Sequence, residues 1–319
     1  MTSVVNRRMV IGAGLGLGVA PAFGQAPPPD RLLAFSFRPD PGSTIAYQVT
    51  EAEALSGSTE GHVYRRWRYT LTLVLGELDG ETWPATLTIS DVTVQDGKDF
   101  PLYLMLVRIA EGLPVAVQLD RRGGFVHQVV DWPAAKAKLK HALADRMPRE
   151  DAQLVPEILD RLDATQGSGA IGRVLTLISG GYAMAFHPDG APDTVPNWSG
   201  GSAYIWPAGR TLTAKFSGLD RAKGLFAVDW SIATDPAVAK RHLAPEMQSL
   251  LAGNSSQGVA RARGELDKAL ASGGVALKEH GQVIYSRSRR IISGYSSTLE
   301  IEVGQFRKER AVVADLVPA

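Results

Sequence analysis

The side chains with the widest chemical range in this sequence are its histidines, and their spacing predicts no site. No two of them show the H-x-H or H-E-x-x-H spacing that brings imidazoles onto one metal ion. A zinc or iron site would need ligands from distant segments, so we predict no metal and no cofactor. The six histidines are His62, His127, His141, His187, His242 and His280.

Nucleophiles are equally scarce. The sequence has no cysteine, which excludes disulfides, thiolate metal ligands and cysteine nucleophiles. It has neither a G-x-S-x-G elbow nor an S-x-x-K pair. We therefore assign no catalytic residues. Because the members of a Ser-His-Asp triad meet only in space, a periplasmic hydrolase with a dispersed active site stays open as an alternative.

Two further groups of residues have the chemistry of a binding site. Trp67, Tyr69, Trp83 and Phe125 are aromatics on predicted strands, where they would line a cavity for an apolar ligand or form plain core. Arginines stand in or beside two predicted hairpins, where they would bind phosphate or lipid headgroups, or act as solvated charges at strand ends. These arginines are Arg121, Arg122, Arg287, Arg289 and Arg290.

Long amphipathic strands must position these side chains. From His62 to Leu75, apolar residues alternate with polar ones, and Arg65 is the one departure on the apolar side. A turn at Leu78–Glu81 follows, and the alternation continues from Trp83 to Ile89. Strands with one apolar face and one Arg/Thr face predict an antiparallel meander with a solvated side.

The stretch from Leu113 to Arg146 is predicted most completely. Alternating residues from Val115 to Leu119 indicate a strand, Asp120 to Gly124 a turn, and Phe125 to Val130 a second strand. Asp131 then caps a helix that begins at Pro133. A hairpin that leads into a capped helix is expected here.

The rest of the chain adds helices and a second set of strands. Apolar spacing predicts helices near 100–110, 133–146, 150–165 and 170–186, with the last broken near Gly180. A loop at 187–201 separates them from strands at 202–216 and 224–234. Near the end we expect a helix, a strand, a turn at His280-Gly281 and three more strands.

These patterns predict an α+β fold in which long, curved antiparallel sheet packs against helices. The similar order of elements in the two halves suggests an internal duplication. We place the halves at 31–190 and 191–319, either as separate units or as one continuous domain.

The first residues predict export. Arg7 and Arg8 precede an apolar run from Met9 to Ala20, which is shorter than the about 20 residues that span a bilayer. Small residues at Ala22 and Gly24 predict cleavage before Gln25, by either the twin-arginine or the general route. Residues 1–24 are thus a signal, 25–30 are a Pro-rich linker, and no transmembrane segment remains.

Composition limits the partners. The 34 Lys and Arg residues nearly balance the 33 Asp and Glu residues, so no large field favours nucleic acid. The sequence does not indicate an oligomeric state.

The layout of a signal, long antiparallel strands, helices and more strands resembles uncharacterised exported bacterial β-rich proteins. It is also loosely similar to the half-barrel of lipoprotein carriers, in which a curved sheet around helices holds acyl chains. The resemblance implies a periplasmic, non-catalytic protein that binds a lipophilic small molecule or an envelope component.

Overall fold

The computed structural model describes residues 33–58, 61–96, 102–121, 126–146, 159–160, 162–164, 167, 171–196, 209–241, 268, 274–304 and 306–318. The predicted signal with Arg7 and Arg8, the linker, Arg122 and Phe125 lie outside these ranges. So do most of the predicted helix at 150–165 and the first part of the strand at 202–216. Among the described residues, no helix has the length and apolar character needed to cross a bilayer.

The structure is built mainly from antiparallel strands. Its strands are β1 (Leu33–Ala34), β2 (Thr44–Ser58), β3 (Gly61–Leu75), β4 (Thr82–Asp96), β5 (Val115–Asp120), β6 (Val126–Val129), β7 (Ala185–Phe186), β8 (Asp193–Pro196), β9 (Arg210–Asp220), β10 (Leu225–Thr234), β11 (Val275–Ser286), β12 (Ile291–Val303) and β13 (Phe306–Leu316). Three helices have defined bounds within the described residues: α1 (Leu102–Ile109), α2 (Trp132–Arg146) and α3 (Arg173–Gly180). Residues 236–241 are also helical. A 3₁₀ turn at Gly181–Ala183 follows α3.

Eleven of the strands form one sheet in the order β6-β5-β4-β3-β2-β13-β12-β11-β10-β9-β8, and β1 pairs with β7. The strands of each predicted half lie side by side in this order. The pairing of β2 with β13 joins the two groups, from Arg307 opposite Ser56 to Leu316 opposite Tyr47. The antiparallel meander predicted for the first half is confirmed, and it continues across the second half.

The alternation of the sequence sets the two faces of the sheet. On β3, Trp67, Leu71 and Leu75 are buried on what we call the inner face, whereas Arg66 and Arg68 are exposed on the outer face. The same period of two buries Leu87 and Ile89 of β4. Burying one face removes its apolar side chains from water, which is the main driving force for this architecture.

The predicted hairpin and capped helix are confirmed. Strands β5 and β6 pair antiparallel, with Val117 opposite Val129. The Asp131 carboxylate then accepts a hydrogen bond from the Ala134 N–H at 3.0 Å, at the start of α2. Trp132, Leu139 and Leu143 carry the buried side of this helix into the core.

Helix α3 lies across the middle of the inner face. It ends at Gly180-Gly181, as predicted. The chain passes too close to the sheet at Gly181 for a larger residue. A Cβ atom on Gly181 would stand 2.7 Å from Ile292 and 2.9 Å from Val283.

One expected turn is wrong. His280 and Gly281 do not reverse the chain but lie inside β11, which runs unbroken from Val275 to Ser286. Gly281 is needed for close packing rather than for a turn, since a Cβ atom there would overlap the Ser296 carbonyl and reach 2.9 Å from the Trp230 ring. The duplication that relied partly on this turn stays a prediction.

Candidate functional site between helix α3 and the sheet

A buried carboxylate joins helix α3 to the sheet. Glu51 of β2 is fully buried, and its carboxylate forms an ion pair with Arg173 at the start of α3. Arg310 of β13 approaches the same carboxylate at 3.2 Å, and the Tyr69 hydroxyl donates to it at 2.8 Å. Three donors on three different elements therefore converge on one side chain.

Glu51 is held in its charged form. Burial by itself would raise the pKa of Glu51, because a low-dielectric interior disfavours charge. The positive charges of Arg173 and Arg310, with hydrogen bonds from Arg173 and Tyr69, outweigh burial and lower the pKa below its usual value. The group thus remains an ion inside the protein.

At the other end of α3, two tyrosines bind the backbone N–H and C=O of one residue, Ile292. The Tyr47 hydroxyl donates to the Ile292 carbonyl at 2.7 Å, and the Ile292 N–H donates to the Tyr182 hydroxyl at 2.6 Å. Ile292 lies at an irregularity in the pairing of β11 with β12, where the register shifts after Ile284. The tyrosines satisfy backbone groups there that would be costly to bury without a partner.

A small pocket lies between α3 and the sheet, lined mainly by aromatic and aliphatic residues together with Ser179. The gap between α3 and the sheet has a volume of about 250 Å³, part of which is open to solvent. The space that a solvent molecule could occupy is that of about one water molecule. The walls come from β2, β3, α3 and the segment before β2. They are Phe37, Ile45, Tyr47, Leu73, Leu175, Ile178, Ser179 and Tyr182. We call this space the α3 pocket.

Three of the predicted ligand-binding aromatics lie on the inner face. Trp67, Tyr69 and Trp83 are 1%, 2% and 5% exposed, so they belong to the packed interior. Tyr69 reaches the Glu51 carboxylate, and Trp83 packs edge-on against Phe37 at 6.3 Å between ring centroids. The contact with Phe37 joins Trp83 to the lining of the α3 pocket.

A second buried carboxylate lies further along the inner face. Glu279 of β11 accepts a hydrogen bond from the Ser297 hydroxyl at 2.7 Å. Burial raises the pKa of Glu279, and the Ser297 hydrogen bond and the charge of Arg210 only partly counter this rise. The pKa shifts of Glu51 and Glu279 are therefore opposite in direction, with Glu51 made more acidic and Glu279 less acidic than usual.

The raised pKa of Glu279 predicts a pH-dependent effect of Glu279→Gln. The folded protein binds the proton of the Glu279 carboxyl more tightly than the unfolded chain does. The stabilisation from protonated Glu279 is therefore complete below about pH 4.3, the pKa of glutamate in the unfolded chain. That stability is lost as the pH rises through the folded pKa. Glutamine does not titrate, so the variant should gain stability relative to wild type as the pH rises to neutral, by at most about 1.4 kcal/mol per pH unit. Urea unfolding across this range tests it, and parallel curves would contradict it.

A pattern of inward charges in the sequence marks the region of this polar cluster. Arg65 departs from the apolar side of β3, and in the sheet it stands opposite Glu53, which in turn stands opposite Arg310. Charged residues at inward positions on three adjacent strands indicate a buried ionic network. Recognising it required knowing that β13 pairs with β2, which no local pattern reveals.

The histidines are dispersed where the structure describes them. The side chains of His141 and His280 are exposed and that of His187 is half-buried, while those of His62, His127 and His242 lie outside the description. The described residues contain no group of three His, Asp or Glu side chains that could hold a metal ion.

Comparison with known proteins shows no family. No protein-family model matches the sequence, and no curated protein matches it. A structure concerning lipid–protein interactions in lipovitellin aligns at 13% identity and a TM-score of 0.47, covering 88% of this chain. The aligned part is 26% of the lipovitellin chain, so this protein spans about a quarter of that length.

Two other solved structures align more weakly. Rv2717c from Mycobacterium tuberculosis aligns at 11% identity and a TM-score of 0.19, over 85% of this chain and 91% of that one. A porin-like protein from Bacteroides uniformis aligns at 7% identity and a TM-score of 0.15, over 85% and 96% of the two chains. At these identities and TM-scores, the likenesses define neither a family nor a function.

Proposed function

We propose that this protein is an exported, non-catalytic binding protein of the bacterial envelope that holds a lipophilic ligand between helix α3 and the sheet. The observation that supports this best is the α3 pocket, an apolar space with aromatic and aliphatic walls at the joint between the sheet and its central helix. Ligand sites in proteins are mostly apolar clefts with a few polar groups at their margin. Tyr47, Ser179 and Tyr182 supply polar groups in the lining of the α3 pocket.

The ligand would displace α3 outward from the sheet. Room for about one water molecule does not admit a lipid, so a ligand of that size requires α3 to move outward. The helix has only eight residues, and its end at Gly180-Gly181 makes a short turn before β7. Its polar links to the sheet lie near its two ends, at Arg173 and at Tyr182, so the stretch over the pocket is held by apolar contacts.

Extraction of the natively purified protein tests this proposal directly. We expect mass spectrometry of an organic extract to detect a lipophilic molecule in a stoichiometric amount. Ile178→Trp fills the pocket and should remove the molecule, whereas Val74→Trp, on the outer face and 48% exposed, should retain it. A folded wild-type protein that yields no lipophilic molecule would refute the proposal.

Export is a separate part of the proposal. Arg7, Arg8 and the apolar run after them support removal of residues 1–24 and release into the periplasm. The intact mass of the protein from a periplasmic extract should correspond to a chain that begins at Gln25. Replacing Arg7 and Arg8 with lysine distinguishes the two routes, since only the twin-arginine route depends on the arginine pair. A full-length mass in the cytoplasmic fraction would contradict export.

The hydrolase alternative has no specific observation in its favour. Three of the six histidine side chains lie outside the description, so the hypothesis stays a prediction.

A further inference from the structure

Two neighbouring hairpin turns form a basic corner at one end of the sheet. The β9–β10 turn carries Arg221 and Lys223, and the β11–β12 turn carries Arg287, Arg289 and Arg290. Arg38, in the segment before β2, lies beside them. All six side chains are exposed, and we call this set the basic corner.

Backbone hydrogen bonds fix the parts of the basic corner to one another. The Arg287 N–H donates to the Gly224 carbonyl at 2.9 Å, which joins the two turns. The Arg38 N–H donates to the Arg290 carbonyl at 3.1 Å, which adds the third segment. The charges therefore sit on a framework that does not need a ligand to assemble it.

The corner keeps a clear excess of positive charge. Asp40 pairs with Arg290 at 2.6 Å, and Asp220 lies 3.7 Å from Lys223. Six basic and two acidic side chains leave an excess of four positive charges. Asp189 lies in a turn that packs near Phe216 of β9. With its charge included, the excess is still three positive charges.

The acidic turn at the same end of the sheet is too far away to cancel this charge. The β3–β4 turn carries Glu77, Asp79 and Glu81, but four strand spacings separate it from the β11–β12 turn. At about 4.8 Å for each spacing, that distance is roughly 19 Å. Charges in water are largely screened beyond about 8 Å at physiological salt.

Protection of a sheet edge does not account for these charges. Basic residues often prevent an edge strand from pairing with another chain. The edges of this sheet are β6 and β8, whereas β11 and β12 lie between β10 and β13. The arginines of the β11–β12 turn therefore belong to strands that already have a neighbour on each side, and such strands cannot pair edge to edge with another chain.

An exposed apolar side chain adjoins the charge. Leu219, next to Asp220 at the end of β9, is 41% exposed. Opposite Leu219 in the sheet is Phe226, which is half-buried. Basic side chains around an apolar contact are the composition that binds the interface of an anionic bilayer.

We infer that the basic corner docks on the surface of a membrane that contains anionic phospholipids. The arginines and lysine contact headgroup phosphates, and Leu219 enters the interfacial layer. This inference does not depend on a ligand in the α3 pocket, because the basic corner is a charged, exposed surface at one end of the sheet.

Flotation with vesicles tests the inference. The full mature chain should float with vesicles of phosphatidylcholine that contain about one third phosphatidylglycerol, and much less with phosphatidylcholine alone. Replacing Arg221, Arg287 and Arg289 with glutamate should lower the partition coefficient at least about tenfold, since each basic residue near the surface contributes several-fold. High salt should weaken the binding of the wild-type protein.

A matched variant controls for net charge. Glutamate at Arg66, Lys215 and Lys278 changes the total charge equally on the exposed outer face, and should leave flotation nearly unchanged. Urea midpoints should confirm that both variants are folded. Equal loss in the two variants, or no flotation of the wild type, would overturn the inference. Retention by a DNA duplex without flotation would overturn it in favour of nucleic acid.

Discussion

Glu51→Leu is expected to lower the free energy of unfolding by about 3–5 kcal/mol, the usual cost of removing one partner from a buried ion pair. The substitution takes away the carboxylate to which Arg173, Arg310 and Tyr69 all donate. The guanidinium groups of Arg173 and Arg310 then remain buried without the charge that compensates them. Urea unfolding of the purified variant measures the loss.

The pH dependence of that loss separates charge from packing. Because the pKa of Glu51 is lowered in the folded protein, its contribution is present above the unfolded value of about 4.3. It is lost as the pH falls through the folded pKa. The gap between wild type and variant should therefore narrow in acid, whereas a packing defect would persist.

Glu300→Leu is the matched control for Glu51→Leu. Glu300 pairs with Arg307 at 3.3 Å, where the two side chains are 22% and 48% exposed. Solvated pairs of this kind contribute less than about 1 kcal/mol. Equal effects of the two substitutions would contradict the assignment of Glu51 as the polar anchor of α3.

Gly281→Ala is expected to cost about 3 kcal/mol, at the upper end of the range for overpacked interiors. The added methyl group would overlap the Ser296 carbonyl and crowd the Trp230 ring, which lies over the glycine. Neither obstacle can move without disturbing the ladder, because Gly281 pairs with Ser297 on one side and with Trp230 on the other. Loss of cooperativity or a lower urea midpoint would report the strain.

Gly218→Ala provides the comparison within the same sheet. Gly218 lies in β9, and the nearest atom that a new Cβ would meet is 4.0 Å away, on Ala227. The methyl group fits there, so we expect a change within about 0.5 kcal/mol. If Gly281→Ala were equally mild, Gly281 would not be the close-packing position that the structure indicates.

Local patterns predicted the parts of this fold that are decided locally. The alternation on β3 predicts which of its residues are buried, and Asp131 predicts the start of α2. Both features depend on neighbours only a few positions away in the sequence. His280-Gly281 shows the limit of such patterns. The pair has turn chemistry, yet the ring of Trp230, fifty residues earlier, requires glycine in the middle of a strand.

The candidate site depended on contacts that the sequence does not display. Glu51 and Arg310 are separated by 259 positions, and Glu51 and Arg173 by 122. Trp67, Tyr69 and Trp83 face inward, but an aromatic on an apolar face is more often core than ligand site. The inward charges were the more informative residues, because burial of an ion requires a partner.

The place of β13 in the sheet has a consequence for biosynthesis. This strand fills the gap between β2 and β12, so the middle of the sheet is completed by a segment that is synthesised after every other described strand. The growing chain can at best form two separate meanders, each with an unsatisfied border. Strand pairing between segments so far apart in sequence forms slowly, because the entropy cost of closing the loop precedes any stabilisation from the new contacts. We therefore expect the two groups of strands to join only once β13 has been synthesised, and a variant lacking residues 306–316 should stay divided and prone to aggregate.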